Sequence, residues 1–225
     1  FQKALRSLET GLSGWGGDRN EPDLSDGEME RLLRTPSPGR ILTVRTAMIR
    51  GYSDSDIHRL SSIDSWFLAK MRRIVEAETT LLHDRTLSEL SAETLLELKQ
   101  LGFSDRQIAW STGSDEMSVR RHRITNGIRS VFKTVDTCAA EFASSTPYHY
   151  STYERPLQTI NADGSLSTQS DATEVSPSDG RKMLILGGGP NRIGQGIEFD
   201  YCCCHASFAG QEHGITTVMV NSNPE

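Results

Sequence analysis

The sequence predicts a mostly α-helical domain followed by an incomplete, Rossmann-like α/β half-domain. Three observations carry this. Between about Leu24 and Tyr153, helix-start signals recur and apolar residues return every three or four positions. After Lys182 the pattern changes to strand, glycine loop, helix and strand. Between them, residues 155–181 are rich in Pro, Gly, Ser and Thr and contain little that could fill a core.

In chain order, residues 1–14 read as an amphipathic helix (Phe1, Ala4, Leu5, Leu8) leaving through Gly11, Gly14, Gly16 and Gly17. The next region, 15–154, is expected to hold roughly six to eight short helices. Ser25 with Glu28, Ser53 with Asp56, Thr86 with Glu89 and Ser104 with Gln107 have the spacing at which a side-chain oxygen takes an orphan amide at a helix start. Ile41, Val44 and Met48 share one face. Phe67, Met71, Ile74 and Val75 share another, and Leu95, Leu98 and Leu101 follow. Gly51, Gly102 and Gly113 mark helix ends. Trp66, Phe67 and Leu68 read as a core anchor. Tyr148, Tyr150 and Tyr153 are expected to pack one edge of this domain. The helical pattern is read as continuing to Tyr153, and 155–181 as a flexible linker.

From 182 onward, Met183–Leu186 reads as a buried strand. A glycine loop containing Gly187, Gly188, Gly189, Asn191, Arg192, Gly194 and Gln195 follows, then a helix to about Glu212 and a strand over Thr216–Val220. Both chain ends read as cut. The sequence opens inside a helix without Met and stops just past a strand, so a segment of a longer protein is expected.

The net charge is −6 over 225 residues, which disfavours general binding to nucleic acid or anionic membrane. No apolar run approaches the roughly 20 residues needed to span a bilayer. Cys202, Cys203 and Cys204 diverge around a predicted helix, Cys138 is alone, and no CxxC pair exists. Reduced thiols in the cytoplasm, or in an organellar matrix or stroma, are expected, with no zinc site.

Two motifs could carry chemistry. Glycines after a strand let backbone amides approach an anion at a helix N-terminus. Yet the dinucleotide spacing fails at Arg192, and the second strand ends in Asn221-Ser222-Asn223 without an acid for a ribose. A tight turn serving helix–strand packing remains the other reading. The second motif, Phe103–Trp110, Gly113 and Val119–Arg123, has a helix-turn-helix outline, with Arg120, Arg121, Arg123, Arg129 and Lys133 supplying positive charge. A free-standing nucleic-acid-binding module is therefore the alternative reading. No catalytic or metal-ligating constellation can be assembled from spacing, the six histidines included.

The run Lys182–Cys203, continuing to Asn221-Ser222-Asn223-Pro224-Glu225, resembles the opening of the second synthetase half of carbamoyl-phosphate synthetase large chains. Upstream, Lys3–Glu9, Ile63–Leu68, Gly102–Asp105, Val135–Phe142 and Tyr150–Glu154 resemble marks of the same family in the same order. Residues 13–40 and the length of 155–181 depart from its pattern. The resemblance implies the C-terminal helix of a first ATP-grasp unit at 1–14, a helical oligomerisation domain at 15–154, a linker at 155–181, and the start of a pre-ATP-grasp domain at 182–225. It further implies a ligase that makes carbamoyl phosphate for arginine and pyrimidine biosynthesis from bicarbonate, glutamine-derived ammonia and two ATP. ATP with Mg or Mn would act in domains outside these residues, with none bound here and no catalysis by this piece alone. The implied partners are a glutaminase, as a separate small subunit or a fused domain, and further copies through the helical domain, but no nucleic acid or membrane. Glu198 and Glu225 stand where the family lines its carbamate tunnel, with the glycine loop at the tunnel mouth.

Overall fold

The computed structural model describes the chain except residues 9, 17, 19, 140, 155–156, 170–172, 176–178, 189–197 and 221–225, and except the side chains of 157, 169 and 198–200. It divides into two units, Phe1–Glu174 and Val175–Glu225.

The first unit opens with α1 (Gln2–Ser7), then α2 (Asp26–Arg34), α3 (Arg40–Ile49), α4 (Asp54–Ser61) and α5 (Ser65–Ala77). A π-turn at Glu78–Leu82 and a 3-10 turn at Leu87–Glu89 lead into α6 (Ala92–Gln100), α7 (Asp105–Ser111) and α8 (Glu116–Thr125). The predicted caps are present. Ser25 Oγ accepts from the Glu28 amide, Ser53 and Asp56 form a reciprocal box, and so do Ser104 and Gln107. Glu89 accepts from the Thr86 amide at 2.7 Å. Asp64, Ser91 and Asp115 cap α5, α6 and α8 in the same manner. Gly51, Gly102 and Gly113 all lie at positive φ where helices end.

The core follows from these starts, because each cap sets which face of its helix turns inward. Met29 and Leu33 from α2, Val44 and Ala47 from α3, Ile57 from α4 and Leu68 from α5 are buried, and Leu95, Leu98, Phe103 and Ile108 extend the same cluster. With α5 starting at Ser65, only Leu68 of the expected anchor is buried; Trp66 and Phe67 are 61% and 56% exposed. This corrects the core-anchor expectation. Successive helical residues are about 100° apart, so three neighbours cannot all face the core.

The helical reading also fails beyond Ile128. Strands β1 (Val131–Thr134) and β2 (His149–Thr152) pair antiparallel, from Val131 opposite Thr152 to Thr134 opposite His149. Val131-Phe132-Lys133-Thr134 is a β-branched and aromatic run that suits a strand, and Pro147 keeps the return from being helical. Tyr153 packs against the core, whereas Tyr148 and Tyr150 are exposed, so one of the three expected edge tyrosines serves that role. Inside the stretch read as a linker, β3 (Leu157–Ile160) and β4 (Leu166–Gln169) form a second hairpin. Its turn closes with the Asn161 amide donating to the Ser165 carbonyl at 2.8 Å. A polar composition hid it, because a hairpin held by its turn needs little core. The unit ends with Glu174 on the β1 edge: its amide donates to the Phe132 carbonyl, and its carboxylate accepts from the Thr134 amide, both at 2.8 Å.

The second unit is the predicted strand–helix–strand. β5 (Lys182–Leu186) and β6 (Thr216–Val220) pair in parallel, Lys182 opposite Thr216 and Leu186 opposite Val220, joined through α9 (Glu198–Glu212). α9 lies close on the sheet at Gly210, where an added Cβ would stand 2.8 Å from Thr217 Cγ2. Ser207 and Thr217 hydroxyls meet nearby at 2.7 Å. On β5, Leu184 and Leu186 are exposed, which corrects the expectation of a buried strand: among the described residues α9 covers one face of the two-stranded sheet, so alternate side chains stay open.

Candidate functional site

The glycine loop begins in the sheet. The Gly187 amide donates to the Val220 carbonyl at 2.8 Å, carrying the parallel ladder one residue past β5, so this amide is not available to an anion. Among the described residues, an added Cβ at Gly188 would meet nothing within 4 Å. Gly189, Asn191, Arg192, Gly194 and Gln195 lie outside the described residues, as does Glu225. Glu198 opens α9, but its side chain is outside them too. Among the described residues, no group of three or more His, Cys, Asp or Glu side chains could hold a metal ion, and no helix is long and apolar enough to cross a membrane.

The helix-turn-helix outline is real as packing, since α7 and α8 lie against each other. Two of its five cations, Arg123 and Lys133, are however paired within the fold. Arg123, 8% exposed, donates through Nε to both carboxylate oxygens of Asp105 at 3.0 and 2.8 Å. Lys99 Nζ reaches Asp105 at 2.9 Å and the Phe103 carbonyl at 2.7 Å. The Tyr153 ring covers both cations, 5.3 Å from Lys99 Nζ and 5.9 Å from Arg123 Cζ. Burial pulls the Lys99 ammonium below the ordinary lysine range, with Asp105 opposing the shift; burial likewise pushes the Tyr153 phenol up. Lys133 is spent on Glu174 at 3.1 Å and Glu154 at 3.6 Å. The start of α8, where a recognition helix meets base edges, carries Asp115 and Glu116, which would repel DNA. Arg120, Arg121 and Arg129 remain exposed.

Two further clusters, not singled out by spacing, fasten the N-terminal segment to the helices. Arg45, its side chain 5% exposed, pairs with Glu21 and with both oxygens of Glu78 at 2.6 and 2.7 Å. Gly16, at φ +81°, backs directly onto this guanidinium, and an added Cβ would stand 2.7 Å from Nε. Gln107 Nε2 donates to Gln2 Oε1 at 2.8 Å and to the Gly16 carbonyl at 2.7 Å, while Gln2 Nε2 donates to the Leu101 carbonyl at 3.0 Å. The only sequence signals were the glycine-rich exit at Gly11, Gly14, Gly16 and Gly17 and the box position of Gln107, both read as local turn chemistry.

Outward, the same unit presents an apolar groove of about 560 Å³ lined by Phe1, Ile63, Trp66, Phe67, Met71 and Ile74. Trp66 and Phe67 meet edge to face at 5.1 Å, and Lys70 Nζ lies 5.4 Å from the Trp66 ring centre. The signal missed here was the adjacency of two large aromatics on one helix, which places one or both outside a core.

The described residues thus present buried ion pairs, an outward apolar groove and a short βαβ unit. The chain belongs to the carbamoyl-phosphate synthetase large-chain family. Residues 1–127 match the model of that large chain's oligomerisation domain, and residues 179–225 match the carbamoyl phosphate synthase preATP-grasp domain. Over the whole chain, identity is 51% with the carbamoyl phosphate synthase large chains of Nostoc sp. and Synechocystis sp.. It is 48% with the arginine-specific, chloroplastic large chain of Arabidopsis thaliana. The chain spans about a fifth of those relatives, 19% of the first two and 18% of the third.

Proposed function

We propose that these 225 residues are the joint between the two synthetase halves of a glutamine-dependent carbamoyl-phosphate synthetase. The carrying observation is the order of the two family matches, oligomerisation domain then preATP-grasp domain, within a chain whose whole length aligns with part of its relatives. On this reading residues 1–14 close a first ATP-grasp unit and 15–154 form a spacer that also self-associates. Residues 155–181 connect it to the start of the carbamate-phosphorylating half at 182–225. The inward-paired charges of Lys99, Asp105, Arg123 and Arg45 suit a load-transmitting spacer better than a nucleic-acid reader.

The parent enzyme converts bicarbonate, ammonia drawn from glutamine by a partner subunit or fused domain, and two ATP into carbamoyl phosphate, feeding arginine and pyrimidine synthesis. It works in the cytoplasm or in an organelle. The nucleotide and metal steps belong to ATP-grasp domains outside these residues, so this piece alone does not turn over. Within it, Glu198 and Glu225 border the path by which carbamate passes between the halves, with Gly187–Gln195 at its mouth. Carboxylates there accept hydrogen bonds from the carbamate amide and keep it from escaping to water.

The test is Glu198→Ala and Glu225→Ala in the full-length enzyme, measuring ATP consumed against carbamoyl phosphate formed. The expected outcome is continued ATP hydrolysis with a clear fall in carbamoyl phosphate per ATP. An unchanged ratio in both variants contradicts the tunnel assignment.

A further inference from the structure

We infer that the apolar groove at Phe1, Trp66 and Phe67 is the seat of the part of the full-length chain that precedes Phe1. The inference rests on the domain order proposed above, in which an ATP-grasp unit leads into α1. Several observations bring the groove and that unit together. The groove carries large exposed aromatics, with Trp66 61%, Phe67 56% and Phe1 52% exposed. Paired aromatics in an apolar depression are the make-up of an interface centre, where Trp and Phe are enriched and charge is depleted. Among the described lining residues the one charged side chain, Lys70, lies over the Trp66 ring, leaving the described floor apolar.

Phe1 is itself a wall of the groove, held edge to face on buried Trp15 at 5.2 Å. α1 is anchored just behind it by Gln2 on the Leu101 carbonyl and Arg6 on the Gly102 carbonyl, so this wall is fixed in place. Chain arriving at Phe1 therefore starts at the groove. The relatives are about five times as long as these residues, which cover 19% of them, so there is ample polypeptide to fill it. A covalently tethered occupant also competes at an effective concentration on the order of millimolar, above what a second copy reaches in dilute solution. Charge points the same way: an apolar floor with one engaged cation offers no complementary pairs to set the register of two identical faces.

The experiment replaces Phe67 by benzoylphenylalanine in the full-length protein, which inserts on illumination into whatever C–H bonds lie nearby. The protein is prepared as an equal mixture of isotopically light and heavy chains, and cross-linked peptides are identified by mass. The expected result is light–light and heavy–heavy links only, joining position 67 to residues upstream of Phe1. Light–heavy links would put a second copy in the groove and overturn the inference. Links to residues beyond Glu225, or no link at all, would overturn it equally. Bicarbonate-dependent ATP hydrolysis by the same preparation reports separately on the proposed reaction. An active enzyme with an open groove would sink the seating alone.

Discussion

Asp105 stands between two cations, and the side chains of Lys99, Arg123 and Asp105 itself are 8%, 9% and 10% exposed. Asn in its place keeps the shape but leaves two buried positive groups facing each other without a counter-charge. Breaking a buried pair in this way costs about 3–5 kcal/mol, whereas surface substitutions stay within about 0.5 kcal/mol. Asp105→Asn should therefore lower the urea midpoint of the helical unit well beyond a surface change at Arg120. A shift no larger than the Arg120 control would contradict the cluster's structural role. In the sequence Asp105 looks like an ordinary first-turn carboxylate, and its partners lie 6 and 18 residues away, so spacing could not reveal it. Trp66 and Phe67 were hidden for the opposite reason. Their apolarity suggested a core, and only the frame set by the Asp64 cap shows which neighbours turn outward.

Helices α2, α4 and α7 were legible because their caps are local, with both partners three residues apart. The caps of α4, α8 and the 3-10 turn predict an acid response. The Asp56 carboxylate is held below its ordinary value of 3.8 by the Ser53 hydroxyl and amide, and Asp115 below 3.8 by Ser118. Glu89 is held below 4.5 by the Thr86 amide and hydroxyl. In each case the folded chain binds the proton less tightly than the unfolded chain. The stabilisation is thus present above the unfolded values and is lost as pH falls through the folded ones. Unfolding midpoints measured from about pH 5 to about pH 3 should decline, and Asp56→Asn should flatten part of that decline. An identical slope in the variant would contradict the assignment. Strands fared less well than helices. Those of β1 to β4 have four residues each, too short for alternation to stand out against a helical background. β5 and β6 were legible because short apolar runs, the second rich in β-branched residues, flank a glycine loop and a long helix.

On the scale of the whole molecule, a helical part followed by an α/β part was readable from texture, because the apolar period changes at Lys182, whereas the boundary itself, between Glu174 and Val175, lies inside the stretch read as a linker. The family was readable from one long run of residues and from shorter marks in fixed order. The candidate tunnel was readable only by resemblance, since a lone glutamate on a helix and another beside a proline carry no spacing that points to carbamate. The central claim is that this sequence works as a joint inside a chain several times its size. The most direct measurement is the mass of the native polypeptide detected in a source-cell extract by an antibody raised against residues 24–153. The account predicts a band several times larger than the 24.9 kDa of these residues. A band at 24.9 kDa itself would contradict it, because a free-standing piece has no two halves to join.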